Sequence, residues 1–447
     1  MTALRDVLEG EVDAAGFAGT VVYRGRRRWE QHFAHVPLPP APAAEKAAIR
    51  RGGVYMITGG FGGVAFELSR YLVEGWGARL VLIGRTPLPP REEWDAWLSD
   101  HPGDDAVSER IVKMRTLETM GAECLMFAAD VADLDQMLAV RDAVLERFGE
   151  INGVFHAAST VSSSMIQVQT DERAQAVIRT KVHGTLVLEK VLEKANPDFL
   201  MLFSSLCSYT APLGFTDYSA ACCFMDLHAQ AVNGRLPYRV VSVNWGYWEG
   251  IGIGTVLLPK MMETVGEDVA AHGILAREGM ECISRILALP DAQVMVSTSD
   301  YPALVEELQR NAKNVLKNYA AFQAKAKVAK RPQLAVPYRA PETVVEQVIA
   351  AVWQEILGFD SVGIDDAFIE LGGDSLHAIP MVSRLEGIFH TKVPIRSLVT
   401  ENTVSKLAAF LIGTEKKPGQ TVRIAELFIK IKTMSADEVK AMLSRKG

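Results

Sequence analysis

A run of apolar and β-branched residues, Val54-Tyr55-Met56-Ile57-Thr58, leads directly into Gly59-Gly60-Phe61-Gly62-Gly63 and then into a helix-forming stretch from Phe66 to about Gly75. A buried strand, a glycine-rich turn and a helix in that order leave few folds open. The helix has to cross back over the strand it has just left, which commits the chain to a parallel sheet. Downstream the pattern recurs: strands are expected at Arg79–Ile83, Cys124–Ala128, Gly153–His156, Phe199–Phe203 and Val240–Asn244, with helical stretches between them to about Ala288. The expected fold class is α/β, a doubly wound parallel sheet with helices on both faces.

In a Rossmann-type sheet of this kind the first turn receives a dinucleotide pyrophosphate, and Thr58, Gly60, Phe61, Gly62 and Gly63 are the candidate contacts. Gly60 is expected to permit the tight turn, Gly62 to let the backbone approach the phosphates, and Ala65 to allow close helix packing. The free N–H groups of the helix N-terminus favour an anion there. At the end of the second strand, where an NAD site places an acid on the ribose, the chain has Gly84-Arg85-Thr86. Arg85 can pair with a 2′-phosphate, so NADPH is the expected cofactor. Asp130, followed by Val131, is a candidate adenine contact, and Ala157 with its small neighbours leaves room for the nicotinamide ribose. Either segment could instead be a plain strand terminus.

The chain of 447 residues, 49% of them apolar, is long enough for two or three domains. Its formal charge of −7 argues against nucleic acid as a partner, which would require a concentrated basic surface. Cys124, Cys207, Cys222, Cys223 and Cys282 form no C-x-x-C pair, so neither a metal site nor a disulfide framework is indicated, and reduced thiols in the cytoplasm are expected. With no leader-like opening and no apolar run approaching the roughly 20 residues of a membrane span, no membrane association is expected. Between Gln309 and Arg339 there are eight basic residues and no acidic one, which reads as a linker; from Pro341 to Ile412 ten Asp or Glu stand against four Lys or Arg on a helical pattern.

Ser204-Ser205 ends the fifth expected strand, Tyr218 opens the next helix 13 residues after Ser205, and Lys181 lies on the preceding helix. With the Thr-Gly-Gly-x-Gly-Gly turn, Gly84-Arg85, His156-Ala157-Ala158 and Val243-Asn244-Trp245-Gly246, the chain resembles the ketoreductase domains of polyketide synthases, a branch of the short-chain dehydrogenase/reductases, over nearly all of Phe17 to Glu307. The resemblance implies catalytic roles for Tyr218 as proton donor, Lys181 as the cation lowering its pKa, and Ser205 as a hydrogen-bond donor to the substrate carbonyl. Two departures stand out. The family's asparagine four residues after the tyrosine is Cys222 here, and a thiol cannot reproduce an amide's bonding. The Leu-Asp-Asp motif of one stereochemical class is Val161-Ser162-Ser163, and the tryptophan of the other class is Thr210; absence of the acidic pair points to an L-configured alcohol. Tyr247 to Gly273 is expected to form a lid over the site.

Leu371-Gly372-Gly373-Asp374-Ser375-Leu376, ahead of a helical run, resembles the 4′-phosphopantetheine attachment site of acyl and peptidyl carrier proteins, small all-α four-helix bundles, over about Val344 to Leu411. Ser375 is the implied attachment residue, loaded by a phosphopantetheinyl transferase. The domain division that follows is 1–51, a remnant of the structural half-domain that precedes such reductases; 52–308, the NADPH-binding catalytic domain; 309–340, the basic linker; 341–413, the carrier; and 414–447, a tail. In the tail, Ser435-Ala436-Asp437-Glu438 caps an apolar stripe of Val439, Met442 and Leu443, a docking helix towards neighbouring synthase modules or a helix packed on the carrier. The short N-terminal part implies either an excised boundary or a missing half on another polypeptide. The expected function is reduction of a carrier-bound β-ketoacyl thioester in a polyketide or hybrid polyketide–peptide synthase. A silent reductase scaffold with a working carrier, and an α-ketoacyl reductase of a nonribosomal module, are the alternatives.

Overall fold

The computed structural model describes residues 21–25, 27–40, 47–101, 105–161, 166, 169–212, 214–252, 255, 273–305, 329–332, 334, 336–373, 375–415 and 417–434. The chain falls into two compact units, 1–40 and 41–447. In the first, β1 (Val21–Arg24) and β2 (Arg27–Glu30) form an antiparallel hairpin with Val21 opposite Glu30 and Arg24 opposite Arg27.

The second unit contains a seven-stranded parallel sheet. Its strands are β3 (Val54–Thr58), β4 (Arg79–Gly84), β5 (Cys124–Ala128), β6 (Gly153–His156), β7 (Phe199–Ser205), β8 (Arg239–Trp245) and β9 (Gln293–Val296), in the spatial order β5-β4-β3-β6-β7-β8-β9. The six strands expected from sequence are all present. The edge strand β9 is additional: four residues without a continuous apolar run leave little pattern to detect.

Both faces of the sheet are covered, so alternate residues of one strand go to different layers. Val54, Met56, Val81, Val154, Leu200 and Val240 pack in one core with the buried faces of α3 (Leu134–Phe148), α5 (Gly184–Leu192) and α6 (Thr216–Val232). Tyr55 and Phe155 point the other way and meet Phe199, the last two rings edge to face at 5.1 Å. Burying each such side chain contributes about 1.5–3 kcal/mol, which is why these strands read as unbroken apolar runs. The strand order reverses between β3 and β6, and the carboxyl ends of the strands at such a switch point are the place where sheets of this kind take ligands.

The C-terminal region is helical, as expected of a carrier. It contains α8 (Val344–Leu357), α9 (Ser375–Phe389), a short turn Ser397–Thr400, α10 (Val404–Gly413) and α11 (Gln420–Thr433). Thr343 and Glu346 close a reciprocal capping box at the start of α8. The core gathers Trp353, Phe368, Met381, Leu385, Leu407 and Leu411, with the Trp353 and Phe368 rings 5.4 Å apart. Sequence analysis does not anticipate α11, yet its Ala425 is fully buried and Val422, Phe428 and Ile429 pack on the same core. Arg331, in the stretch read as linker, forms a bidentate ion pair with the buried Asp366 at 2.7 and 2.8 Å. The tail helix expected after Ser435 lies outside the described residues, as does most of the expected lid.

Candidate active site

The glycine-rich turn joins β3 to α1 (Gly63–Trp76), a helix that starts three residues earlier than expected. The left-handed residue is Gly59, with φ +68°, and not Gly60 as the motif suggests. A Cβ on Gly59 would also come within 2.7 Å of Ala158 Cα, so only glycine serves there. Gly60 is tied to β4 by its N–H to Ile83 O at 3.2 Å, and a Cβ on it would reach Leu82 at 3.0 Å; its smallness serves packing and not the turn. Gly62 caps α1 with no side-chain partner and no acid follows in the first turn, which leaves the helix N-terminus open to an anion.

Thr58 sits behind the turn. It is fully buried, its hydroxyl lies 2.7 Å from His156 Nδ1 and accepts from Ala158 N–H, so it supports the switch point from behind. His156 is pushed down to about 3 by burial, with the Lys181 charge adding to the fall. Phe61 lies over Gly84, where a Cβ would be 3.3 Å from its ring. Arg85 is exposed and makes no close ion pair among the described residues, although its charge reaches the Asp130 carboxylate. Asp130 accepts from Ala132 N–H and from Arg179 Nε at 3.0 Å, while Val131 is buried against the start of α5 and Ala157 lines the end of β6. Both oxygens of Asp130 are therefore engaged on this side of the switch point.

Across the switch point, three elements converge. Ser205 ends β7, its Oγ accepting Cys207 N–H at 3.2 Å, which leaves the hydroxyl proton to donate. Tyr218 is in the first turn of α6, its hydroxyl reaching the side chains of Ser205 and Cys222. Lys181 comes from a π-helical turn, Arg179–His183, between α4 (Asp171–Ile178) and α5. The three residues singled out by sequence are thus brought together. Their electrostatics differ from expectation, however. Burial raises the Tyr218 phenol well above its usual value, the Cys222 and Cys207 thiols add to the rise, and the Ser205 bond only partly opposes it. Lys181, 1% exposed, donates to Phe203 O at 2.9 Å and lies 5.3 Å from the centre of the Tyr218 ring, so it faces the ring, and the phenol stays high beside this cation because burial outweighs it.

Beneath these residues lies a polar cluster the sequence does not reveal. Asp226, two turns after Tyr218 on α6, accepts from Ser242 Oγ at 2.6 Å and Asn244 Nδ2 at 2.7 Å; Asn244 also lies within bonding distance of the Ser204 and Ser208 hydroxyls, and its Oδ1 accepts from Gln293 Nε2. Burial raises Asp226 despite these bonds. An acid eight residues after Tyr218, on the same helix face, was the one available signal. Cys222 is fully buried, and burial raises its thiol.

In the carrier, Ser375 is the first residue of α9, and Gly372 takes the left-handed conformation, φ +78°. Gly373 presses so closely on Phe368 that a Cβ would meet its carbonyl oxygen at 2.4 Å, which explains two successive glycines before the serine. Asp374 lies outside the described residues.

Residues 53–250 match the family model described as KR domain, and residues 347–411 match the model described as phosphopantetheine attachment site. The chain is 34% identical over 226 residues to "Polyketide synthase ThaG" of Burkholderia thailandensis, covering 51% of this chain and 4% of that protein. It is 28% identical over 375 residues to "5-methyl-1-naphthoate synthase" of Streptomyces sahachiroi, covering 82% of this chain and 20% of that one. The chain thus spans a small part of these relatives. A ketoreductase domain from the bacillaene assembly line has the same fold, with a TM-score of 0.55, 22% identity, and 70% and 68% of the two chains covered.

Proposed function

From a chain that joins a ketoreductase domain to a phosphopantetheine carrier domain of the polyketide synthase kind, we propose that this protein uses NADPH to reduce a β-ketoacyl thioester held on a 4′-phosphopantetheine arm at Ser375. The observation that carries this reading is the convergence of Ser205, Tyr218 and Lys181 beside the switch point at the carboxyl ends of the strands.

The described residues fit the cofactor. The uncapped start of α1 suits the pyrophosphate, and Arg85 at the end of β4 suits a 2′-phosphate. When bound, the nicotinamide supplies the hydride. Ser205 donates its hydroxyl proton to the substrate carbonyl and fixes its direction. Tyr218 gives up its proton to the carbonyl oxygen as negative charge develops there. Its high pKa keeps the phenol protonated until that moment. Lys181 then stabilises the phenolate: at a separation of 5.3 Å and an effective dielectric of about 20, a cation and an anion attract by about 3 kcal/mol.

Turnover of NADPH with trans-1-decalone or a β-ketoacyl N-acetylcysteamine thioester tests the reductase. Intact-mass detection of one arm, added from coenzyme A by a broad phosphopantetheinyl transferase and lost in Ser375→Ala, tests the carrier. Loading without any turnover would leave a scaffold with a working carrier. The hydroxyl product would pass to neighbouring synthase modules, with Ser435 to Leu443 as the proposed docking segment and the L-configured alcohol as the proposed product.

A further inference from the structure

We propose that Arg110, on the helix after the second strand, is a second cation for the 2′-phosphate of the cofactor and so a determinant of NADPH over NADH. This rests on the NADPH reading above and adds a residue that neither the glycine-rich turn nor the Gly84-Arg85 pair indicates.

The helix in question is α2 (Ala106–Thr119). Its Lys113 donates to Phe61 O at 2.9 Å, which fixes Phe61 in the middle of the glycine-rich turn. The Phe61 ring in turn covers Gly84, the last residue of β4. Arg110 lies one turn before Lys113, with its Cζ 5.9 Å from the centre of that ring. Arg85 follows Gly84 directly. The Arg110 guanidinium therefore lies against the ring that covers the last residue before Arg85, at the strand end where the adenosine ribose of a dinucleotide is held.

Their pairing sets them apart. Around them Arg70 is paired with Glu67, Lys113 with Glu109 and Arg115 with Asp95. Among the described residues, neither Arg85 nor Arg110 makes a close ion pair, Arg85 acting on the Asp130 carboxylate only at longer range, and Arg110 makes only its contact with the ring. A guanidinium held over a half-buried phenylalanine near the surface is weakly retained, by about 0.5–1 kcal/mol, and can turn to a phosphate at little cost. Bidentate binding of a phosphate dianion is the interaction for which its planar donor set is best shaped.

The test measures dissociation constants of the whole chain for NADPH and NADH, and for the fragments 2′,5′-ADP and 5′-AMP, by calorimetry, in wild type, Arg110→Met and Arg85→Ala. Arg110→Met keeps an aliphatic stem over Phe61 and removes only the charge. The expected result is NADPH and 2′,5′-ADP binding weakened about tenfold with NADH and 5′-AMP changed less than twofold, and most of the loss restored in Arg110→Lys. An unchanged NADPH to NADH ratio in Arg110→Met, while Arg85→Ala lowers it, overturns the role of Arg110 and leaves the NADPH reading intact. Equal weakening of all four ligands would show that Arg110 merely holds Phe61, which also overturns it. A wild type without preference for NADPH would overturn both.

Discussion

The ammonium of Lys181 stands over the face of the Tyr218 ring, 5.3 Å from its centre, and spends a hydrogen bond on the carbonyl of Phe203 in the neighbouring strand. A cation this deeply buried is costly to the fold, because its hydration is lost and one carbonyl and a thioether are weak compensation. Lys181→Met, close in length and apolar, is therefore expected to leave thermal stability unchanged or raise it by about 1–3 kcal/mol, while turnover falls about a hundredfold as the phenolate loses its counter-charge. Calorimetry beside NADPH kinetics checks both halves; a destabilised variant would show that the lysine holds the fold together.

Cys222 is the departure whose effect matters most. Its thiol is fully buried against Tyr218, so Cys222→Asn must fit a larger amide into a closed space, at a cost of about 1–3 kcal/mol in stability. The supporting hydrogen bond regained is worth at most about 1.4 kcal/mol, so the rate should change tenfold or less. Activity that exists only in the asparagine variant would show that the cysteine silences the domain.

His156 should make the reductase domain sensitive to acid. Its folded value is about 3 against an ordinary 6.5, so the unfolded state binds the proton more readily. The stability this contributes is complete above about pH 6.5 and is lost as pH falls towards 3, by about 2 kcal/mol at pH 5. The melting temperature of the domain should accordingly fall between pH 7 and 5, with a flatter profile in His156→Gln.

The carrier extends beyond its sequence motif at both ends. Arg331→Ala would leave Asp366 buried without its cation, at about 3–5 kcal/mol, and truncation after Gly413 would uncover the core that α11 closes. Burial raises the Asp366 carboxyl, but Arg331 and Gly363 N–H outweigh it and hold it below its usual value, so the contribution of this pair is present above about pH 4 and lost on further acidification. Urea unfolding of the carrier region at pH 7 and pH 3, in wild type and in each variant, checks both; unchanged midpoints would place these segments outside the fold.

What could be read from sequence followed from local periodicity. β3, β4, β6, β7 and β8 are apolar on both faces, so they announce themselves; β9, at the edge and only half buried, does not. Ser205, Tyr218 and Lys181 were legible through their order and spacing. The Asp226–Asn244–Gln293 cluster was not, because its members come from α6, β8 and β9 and meet only through pairing across the sheet. The electrostatics were hidden for a similar reason: which atom Lys181 faces depends on the Phe203 carbonyl, a backbone group that no residue type encodes. Arg331 looked like one more linker cation because its partner is 35 positions away.

Lys181 is delivered by a five-residue π-helical turn, Arg179–His183, set between two α-helices. Such a turn accommodates an extra residue in the spiral, and each residue of an α-helix advances about 100° around its axis. Removing any one residue there would let the segment relax to regular pitch and swing every side chain on one flank by that angle relative to the other. The lysine could then remain in the sequence and still be lost to the site. Comparison by residue identity alone would count such a homologue as intact; a count of residues between Thr170, which caps α4, and Gly184 would not.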